Sequence, residues 1–303
     1  MTENPRHVPV LLTEALQYLA VRPGSTVVDA TVGLAGHAAE IARRLGRDGT
    51  LIAFDRDPEA LELARQRLTQ VSAELGANAP QIRLVGEAFS EVAQHVAPGS
   101  LDALLADFGV SSLQLDQPTR GFSFSVDGPL DMRMDTRQAL TAAQVVNEVS
   151  ERELANLVYE LGEERRSRRI ARAVVRARPI LTTAHLARVI ASAAPATPQD
   201  RINPATRSFQ AIRIYLNREL DEIRALLEAA PILLKPSGRL VVISFHSLED
   251  RLAKDSLREG AHRGIWKILT KKPVTAGEEE TSQNPRSRSA KLRAAERTTE
   301  SGQ

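Results

Sequence analysis

The sequence predicts an α/β protein, a doubly wound and mostly parallel sheet interrupted by a block of helices. Three observations carry this. Val27-Val28-Asp29-Ala30 and Leu51-Ile52-Ala53-Phe54-Asp55 are short apolar runs that each reach an acid. A helical pattern separates them, which is strand–helix–strand order with a right-handed crossover. Gly33 and Gly36 punctuate the turn after the first run. Such a turn lets backbone approach a nucleoside ligand, and an acid closing the second strand bonds ribose hydroxyls. The alternatives are an ordinary strand-to-helix turn and a helix-capping role for Asp55.

The elements follow in order. Strands are expected at Thr26 to Ala30, Thr50 to Phe54, Ile82 to Val85 and Leu101 to Ala106, with Asp107-Phe108-Gly109 closing the fourth. Helices are expected at Gly36 to Leu45 and Pro58 to Leu75, the second with Asp57 as N-cap and Pro58 at its first position. From Val110 to Asn203 no strand pattern occurs. Ser150-Glu151-Arg152-Glu153 reads as a capping box, followed by Leu154, Leu157, Val158 and Leu161 at helical spacing. Further helices are expected from Glu163 to Arg178 and from Thr183 to Ser192. The sheet pattern then resumes. Phe209, Ile212, Leu216, Leu220, Ile223 and Leu227 form one stripe on a long helix. Lys235 to Gly238 is a turn, Arg239 to Phe245 a strand, and Ile265 to Leu269 with Ala290 to Ala294 a final antiparallel pair. Glu278-Glu279-Glu280 lies in a segment expected to be mobile. The domains read as 1–109 with 204–303 for the sheet and 110–203 for a helical insertion.

Composition narrows the function classes. The chain has 303 residues with 42% hydrophobic side chains, enough for a substantial core. It has no cysteine, which excludes disulfides, thiolate metal sites and a cysteine nucleophile. No metal-ligand cluster stands out, so no metal is expected. Met1-Thr2-Glu3-Asn4-Pro5 lacks the pattern of a signal peptide, and no apolar run reaches the roughly 18 residues of a membrane span. A soluble, cytoplasmic protein is expected.

Several side chains are candidates for chemistry. Asp107 closes a strand beside the expected crevice and could face a substrate amine or serve as a turn former. Arg165, Arg166, Arg168, Arg169, Arg172, Arg176 and Arg178 crowd one helix, either as a solvated face or as a phosphate-tracking surface. Gln210, Arg213 and Asn217 make a second stripe on the long helix. His246 ends a strand, where a histidine is more often structural than catalytic. Phe122 and Phe124 could stack on a base or pin their loop to the core.

Longer blocks then point to a family. They include His7-Val8-Pro9-Val10-Leu11-Leu12, the Asp29 to His37 turn, Asp55-Arg56-Asp57-Pro58 and Asp107-Phe108-Gly109-Val110-Ser111-Ser112. Arg120-Gly121-Phe122-Ser123-Phe124, Asp127 to Asp135, Asn203 to Ala211, Ser244 to Arg251 and Asn284 to Ser289 follow in order. The set closely resembles the bacterial 16S ribosomal RNA (cytosine-N4)-methyltransferase family, called RsmH or MraW. The resemblance implies a Rossmann-like class I methyltransferase sheet, mostly parallel with an antiparallel final strand, carrying an inserted all-helical domain. It implies S-adenosylmethionine as cofactor and N4-methylation of a cytidine in the decoding region of 16S rRNA. Ala35, Gly36, His37, Asp55, Phe89, Asp107 and Gln114 would hold the cofactor, and Asp107 would also be the catalytic candidate. Arg165, Arg166, Arg169, Arg207, Gln210, Arg213 and His246 would contact the RNA. The partner would be 16S rRNA or the small ribosomal subunit, with no membrane, and a homodimer is allowed.

The chain departs from the family at two positions. Ala35 stands where glycine is usual, which is tolerable if its φ is negative. Phe108 stands where leucine is usual. Two other function classes remain open from the sequence: a nicotinamide-dependent oxidoreductase using the same strand–turn–acid arrangement, and a non-catalytic ribosome-assembly factor that keeps the pocket.

Overall fold

The computed structural model describes residues 9–198, 200 and 202–299. His7 and Val8 of the first family block lie outside the described residues. In chain order the helices are α1 (Leu12–Leu19), α2 (Gly36–Leu45), α3 (Pro58–Leu75), α4 (Val92–His95), α5 (Ser112–Asp116), α6 (Ala142–Glu148) and α7 (Glu151–Glu160). They continue with α8 (Ser167–Arg176), α9 (Thr183–Ala193), α10 (Pro204–Asn217), α11 (Glu219–Leu233), α12 (Ser247–His262) and α13 (Glu278–Gln283). The strands are β1 (Thr26–Asp29), β2 (Thr50–Phe54), β3 (Gln81–Val85), β4 (Leu101–Asp107), β5 (Leu234–Ser244), β6 (Trp266–Ile268) and β7 (Lys291–Arg297). The chain divides into two compact units, Met1–Gly109 with Leu220–Gln303, and Val110–Glu219.

The first unit is built on one sheet of order β3-β2-β1-β4-β5-β7-β6. Strands β1 to β5 run parallel, and β7 is antiparallel to both β5 and β6. This is the expected class I methyltransferase sheet. Both faces are covered, which is why its central strands read as unbroken apolar runs rather than alternating ones. Leu51 and Ala53 join one core with Ala38, Ile41 and Leu68 of α2 and α3. Ile52 and Phe54 join the other with Ile223, Leu226, Ala253 and Leu257 of α11 and α12. Asp57 caps α3 by accepting the Glu59 N–H at 3.1 Å, with Pro58 at the first position, as the sequence suggests. The strand order reverses between β1 and β4, so the carboxyl ends of these strands mark the ligand crevice of such a sheet.

The second unit is helical. Its core gathers Met132, Val145, Leu154, Val158, Ile170, Ile190, Phe209 and Ile212. It extends to Glu219, so α10 packs here and not in the sheet unit where a boundary at residue 203 would put it. The expected single helix from Phe209 to Leu227 is two helices. Arg218 takes a left-handed conformation (φ 51°), ends α10, and lets α11 begin at Glu219. The apolar stripe is thereby shared, Phe209 and Ile212 in the helical core and Ile223 and Leu227 in the sheet core.

Two further expectations change. Lys235 to Gly238 lies inside β5, where the register against β4 shifts between Leu101 and Ala103 and Ser237 has φ 65°. The segment expected to be mobile holds α13. Its acidic first turn suits the positive helix N-terminus, and Glu280 accepts the Leu11 N–H at 2.7 Å.

Candidate functional site

The strand tips of the sheet unit converge through backbone. After β1 the chain is tied down by Ala30 N–H to the Leu105 carbonyl and Val32 N–H to the Phe54 carbonyl, both at 2.8 Å. Gly33 then takes φ 48°, and its N–H donates to Asp55 Oδ2 at 2.9 Å. Asp55 Oδ1 accepts the Asp57 N–H at 2.9 Å. Asp29 is buried and accepts the Thr31 N–H at 3.1 Å. Thr31 Oγ1 in turn accepts the Asp107 N–H at 2.7 Å, joining the first turn to the tip of β4. At Gly36 an added Cβ would lie 2.4 Å from Pro9 Cγ, so only glycine lets the N-terminal segment close over α2.

Ala35 precedes α2 with φ 56° and ψ 34°, and it is fully buried. The condition that its φ be negative is not met. Alanine occupies a left-handed position that favours glycine, at a cost of about 1–2 kcal/mol in backbone strain.

The electrostatics are one-sided. Burial raises the Asp29 carboxyl to about 7; its bond from Thr31 opposes this and the Asp55 charge adds to it. Burial raises Asp55 to about 6, against the bonds from Asp57 and Gly33. Asp107 stands well above the usual carboxylate range, through burial and then the charges of Asp29 and Glu249. Asp107 Oδ1 is buried with no hydrogen-bond partner among the described residues. His37 lies beside it, its Nδ1 3.9 Å from Asp107 Oδ2 and its Nε2 3.0 Å from the Val10 carbonyl. Phe89 sits half-buried in a turn after β3, its ring 6.0 Å from that of Phe108. Mutually repelling carboxylates at neighbouring strand tips, with an aromatic side chain following β3, suit a ligand with a positive charge, hydroxyl or amine donors and a flat ring. S-adenosylmethionine has all three.

Other candidates have structural employment. His246 caps α12, with Nδ1 3.5 Å from the Glu249 N–H and Nε2 3.1 Å from Glu249 Oε1. Gln114, in the helical unit, closes a capping box with Ser111: its Oε1 accepts the Ser111 N–H at 3.1 Å. Phe122 is buried, and Phe124 meets Phe209 edge to face at 4.8 Å, so both pin their loop.

The arginines of the helical unit divide into two groups. Glu164 is buried and draws in Arg166 at 3.0 Å and Arg207 at 3.4 Å, while Arg166 also reaches Asp200 at 2.9 Å. Arg213 forms a two-pronged pair with Glu219, at 2.8 and 2.9 Å, and Gln210 donates to the Leu161 carbonyl. Arg165, Arg168, Arg169, Arg172 and Arg176 are exposed, opposite the buried Ile170, Ala171 and Val174. No local pattern assigns Thr31 or Glu249 a role at Asp107, and Glu164, which the sequence places at the start of the arginine-rich helix, instead precedes α8 and anchors Arg166 and Arg207. For Glu249 the available signal was its place three residues after a capping position.

A family model described as the MraW methylase family matches residues 4–298. The chain is 67% identical over 295 residues to a protein of Acidobacterium capsulatum named "Ribosomal RNA small subunit methyltransferase H", covering 97% of this chain and 99% of the relative. Proteins of the same name from Koribacter versatilis and Solibacter usitatus are 61% and 49% identical, over 97% and 96% of this chain and 95% and 99% of theirs.

Proposed function

Because the chain belongs to the MraW methylase family, we propose that it methylates N4 of a cytidine in the decoding region of 16S rRNA, using S-adenosylmethionine. The observation that carries the reading is the family match over residues 4–298 of a chain whose β1, β2 and β4 tips present Asp29, Asp55 and Asp107. The oxidoreductase alternative falls with that membership. The cofactor supplies, when bound, an electrophilic methyl group on a sulfonium.

The chain's own residues do the rest. Asp55 accepts hydrogen bonds from ribose hydroxyls, oriented by the Gly33 and Asp57 N–H groups. Phe89 offers its ring to adenine, and Ala35, Gly36 and His37 line the cofactor from the start of α2. Asp107 accepts a hydrogen bond from the cytosine amine. That amine is a poor nucleophile, because its lone pair is delocalised into the ring, and a bond to Asp107 favours the pyramidal, reactive nitrogen. Alignment of the reacting atoms contributes up to about 7–11 kcal/mol in well-oriented systems. The base must leave its stack, at a few kcal/mol, least in irregular RNA.

The sheet unit is proposed as the cofactor domain and the helical unit as the RNA domain. Within the latter, exposed Arg165 and Arg169 are the stronger phosphate contacts, with Arg168, Arg172 and Arg176 on the same face. Arg166, Arg207, Gln210 and Arg213 reach RNA only by exchanging bonds they already make. The substrate is 16S rRNA or the small subunit, met in the cytoplasm. Among the described residues no helix is long and apolar enough to cross a membrane.

The test is transfer of a labelled methyl group to small subunits from cells lacking this gene, followed by mass spectrometry of the nucleosides. N4-methylated cytidine is expected with the wild type and not with Asp107→Ala. Cofactor binding without transfer, under conditions that support a relative, would favour the assembly-factor role.

A further inference from the structure

We propose that Glu280 is a positioning residue of the cofactor site, acting from α13 through the Pro9–Leu11 segment. The inference rests on the proposed cofactor lining and adds to it a residue that works through others. Leu11 stands at the N-cap of α1, fully buried, with φ 51°. A leucine side chain has no acceptor, so it satisfies none of the N–H groups at the start of its own helix. Glu280 supplies the acceptor from 269 residues downstream: its Oε1 takes the Leu11 N–H at 2.7 Å. A carboxylate also suits the positive end of α1, and such a bond is stronger than one to a neutral acceptor.

The Leu11 N–H and the Val10 carbonyl belong to one planar peptide group and point in opposite directions. The Val10 carbonyl is the atom that lies 3.0 Å from His37 Nε2. One rigid plate is therefore held at one edge by Glu280 and holds the His37 ring at the other. Tilting it to release the carboxylate also turns the carbonyl away from the ring. The residue before it, Pro9, packs on Gly36, where a Cβ would collide with the proline ring. Pro9, Val10 and Leu11 thus meet Gly36, His37 and Glu280 in turn, and the first two of these open α2 at the proposed cofactor lining.

The support behind Glu280 is fixed on both sides. Before α13, Val274 exchanges two backbone bonds with Leu292 of β7, at 2.9 and 2.8 Å. After it, the buried Ser287 donates its hydroxyl to the Asn284 carbonyl at 2.8 Å. Val274 and Ala276 pack against the core that holds Val10, Leu11 and Ala35. The carboxylate is thereby presented from a braced segment, and its grip on the peptide is transmitted rather than absorbed.

Three variants separate the reach of the acceptor from its charge. Glu280→Ala removes the acceptor. Glu280→Asp keeps the charge and withdraws the acceptor by one methylene. Glu280→Gln keeps an oxygen at the same reach without the charge. S-adenosylmethionine affinity is measured by calorimetry, and kcat and the KM for the cofactor by methyl transfer to small subunits. The alanine and aspartate variants are expected to bind the cofactor about tenfold more weakly, the scale of coupling carried through packed and bonded neighbours. Their KM for the cofactor should rise by the same factor and kcat should stay within about twofold of wild type, while Glu280→Gln binds within about threefold of it. Amide exchange at Leu11, followed by nuclear magnetic resonance, should quicken in the alanine and aspartate variants only. Wild-type affinity in those two, a glutamine variant as weak as alanine, or a lowered kcat at unchanged KM, as a role in stability alone requires, would each overturn the proposal. The contrast between aspartate and glutamine decides it even where the alanine variant does not fold. A wild type that binds no S-adenosylmethionine would instead bring down the functional reading on which it rests.

Discussion

Carboxylates at the strand tips of the sheet unit and carboxylates inside the helical unit are the same groups put to opposite uses. In the helical unit burial pushes Asp131 and Glu164 up, but the arginines beside them outweigh it and hold both below their usual range. Arg133 grips Asp131 through both oxygens, and Arg166 and Arg207 converge on Glu164. At the strand tips burial wins, and the neighbouring charges acting on Asp29 and Asp107 are further carboxylates. Acids that hold a fold together have their cations within the chain. Acids that serve a ligand are left for the ligand to satisfy.

Asp107→Asn tests this contrast most directly, because it keeps the shape of the side chain and removes its charge. Methyl transfer is expected to fall by about 10²–10⁴-fold while thermal stability does not fall. Equal loss in both would mean that Asp107 is structural. Next in size, Asp55→Asn is expected to weaken S-adenosylmethionine binding by about 10- to 100-fold, the worth of a hydrogen bond to a charged acceptor. Calorimetry measures it directly, and an unchanged affinity would remove Asp55 from the cofactor site.

Stability should respond with opposite signs in the two regions. Glu164→Gln leaves Arg166 and Arg207 without their shared anion, at a cost of about 1–3 kcal/mol in urea unfolding. Asp29→Asn keeps an acceptor for the Thr31 N–H and removes a buried charge, so the ligand-free protein should unfold a few degrees higher at pH 8. The pH dependence follows from linkage. Asp29 and Asp55 have folded pKa values of about 7 and about 6, above their unfolded value of 3.8. Between those values the folded state binds more protons, so their contribution declines as pH rises from about 4 through 7. Asp131 and Glu164, with lowered values, contribute above the unfolded carboxylate pKa and lose that contribution only as pH falls below it. Asp29→Asn should therefore flatten the neutral part of the stability profile, and Glu164→Gln the acid part.

The strand tips were legible in the sequence because short apolar runs, turns and acids are local signals. Asp29, Asp55 and Asp107 follow from them without knowledge of distant contacts. The employment of the arginines was not legible. Glu163 takes φ 51° after α7, and the turn brings Glu164 back toward Arg207, whose position 43 residues later no local pattern connects to it. The break at Arg218 was equally hidden, because no glycine or proline marks it and the apolar spacing runs through without interruption. Left-handed conformations at ordinary residues are set by the packing on either side, and this information is non-local.

Ala35 brings the same lesson to the cofactor loop and yields the smallest expected effect. Its methyl group is held at φ 56° in a fully buried turn, where the rest of the site depends on the backbone of Gly33 and Gly36. Ala35→Gly relieves backbone strain of about 1–2 kcal/mol, while the unfolded chain gains freedom worth about 0.4–1 kcal/mol. The net expectation is a stabilisation of about 0–1.6 kcal/mol in urea unfolding, with cofactor affinity unchanged. A destabilised glycine variant would show that the buried Ala35 methyl group packs well enough to offset its strain. The left-handed turn would then be maintained by the surrounding core, in the manner of the helical unit, and not by the freedom of its own backbone.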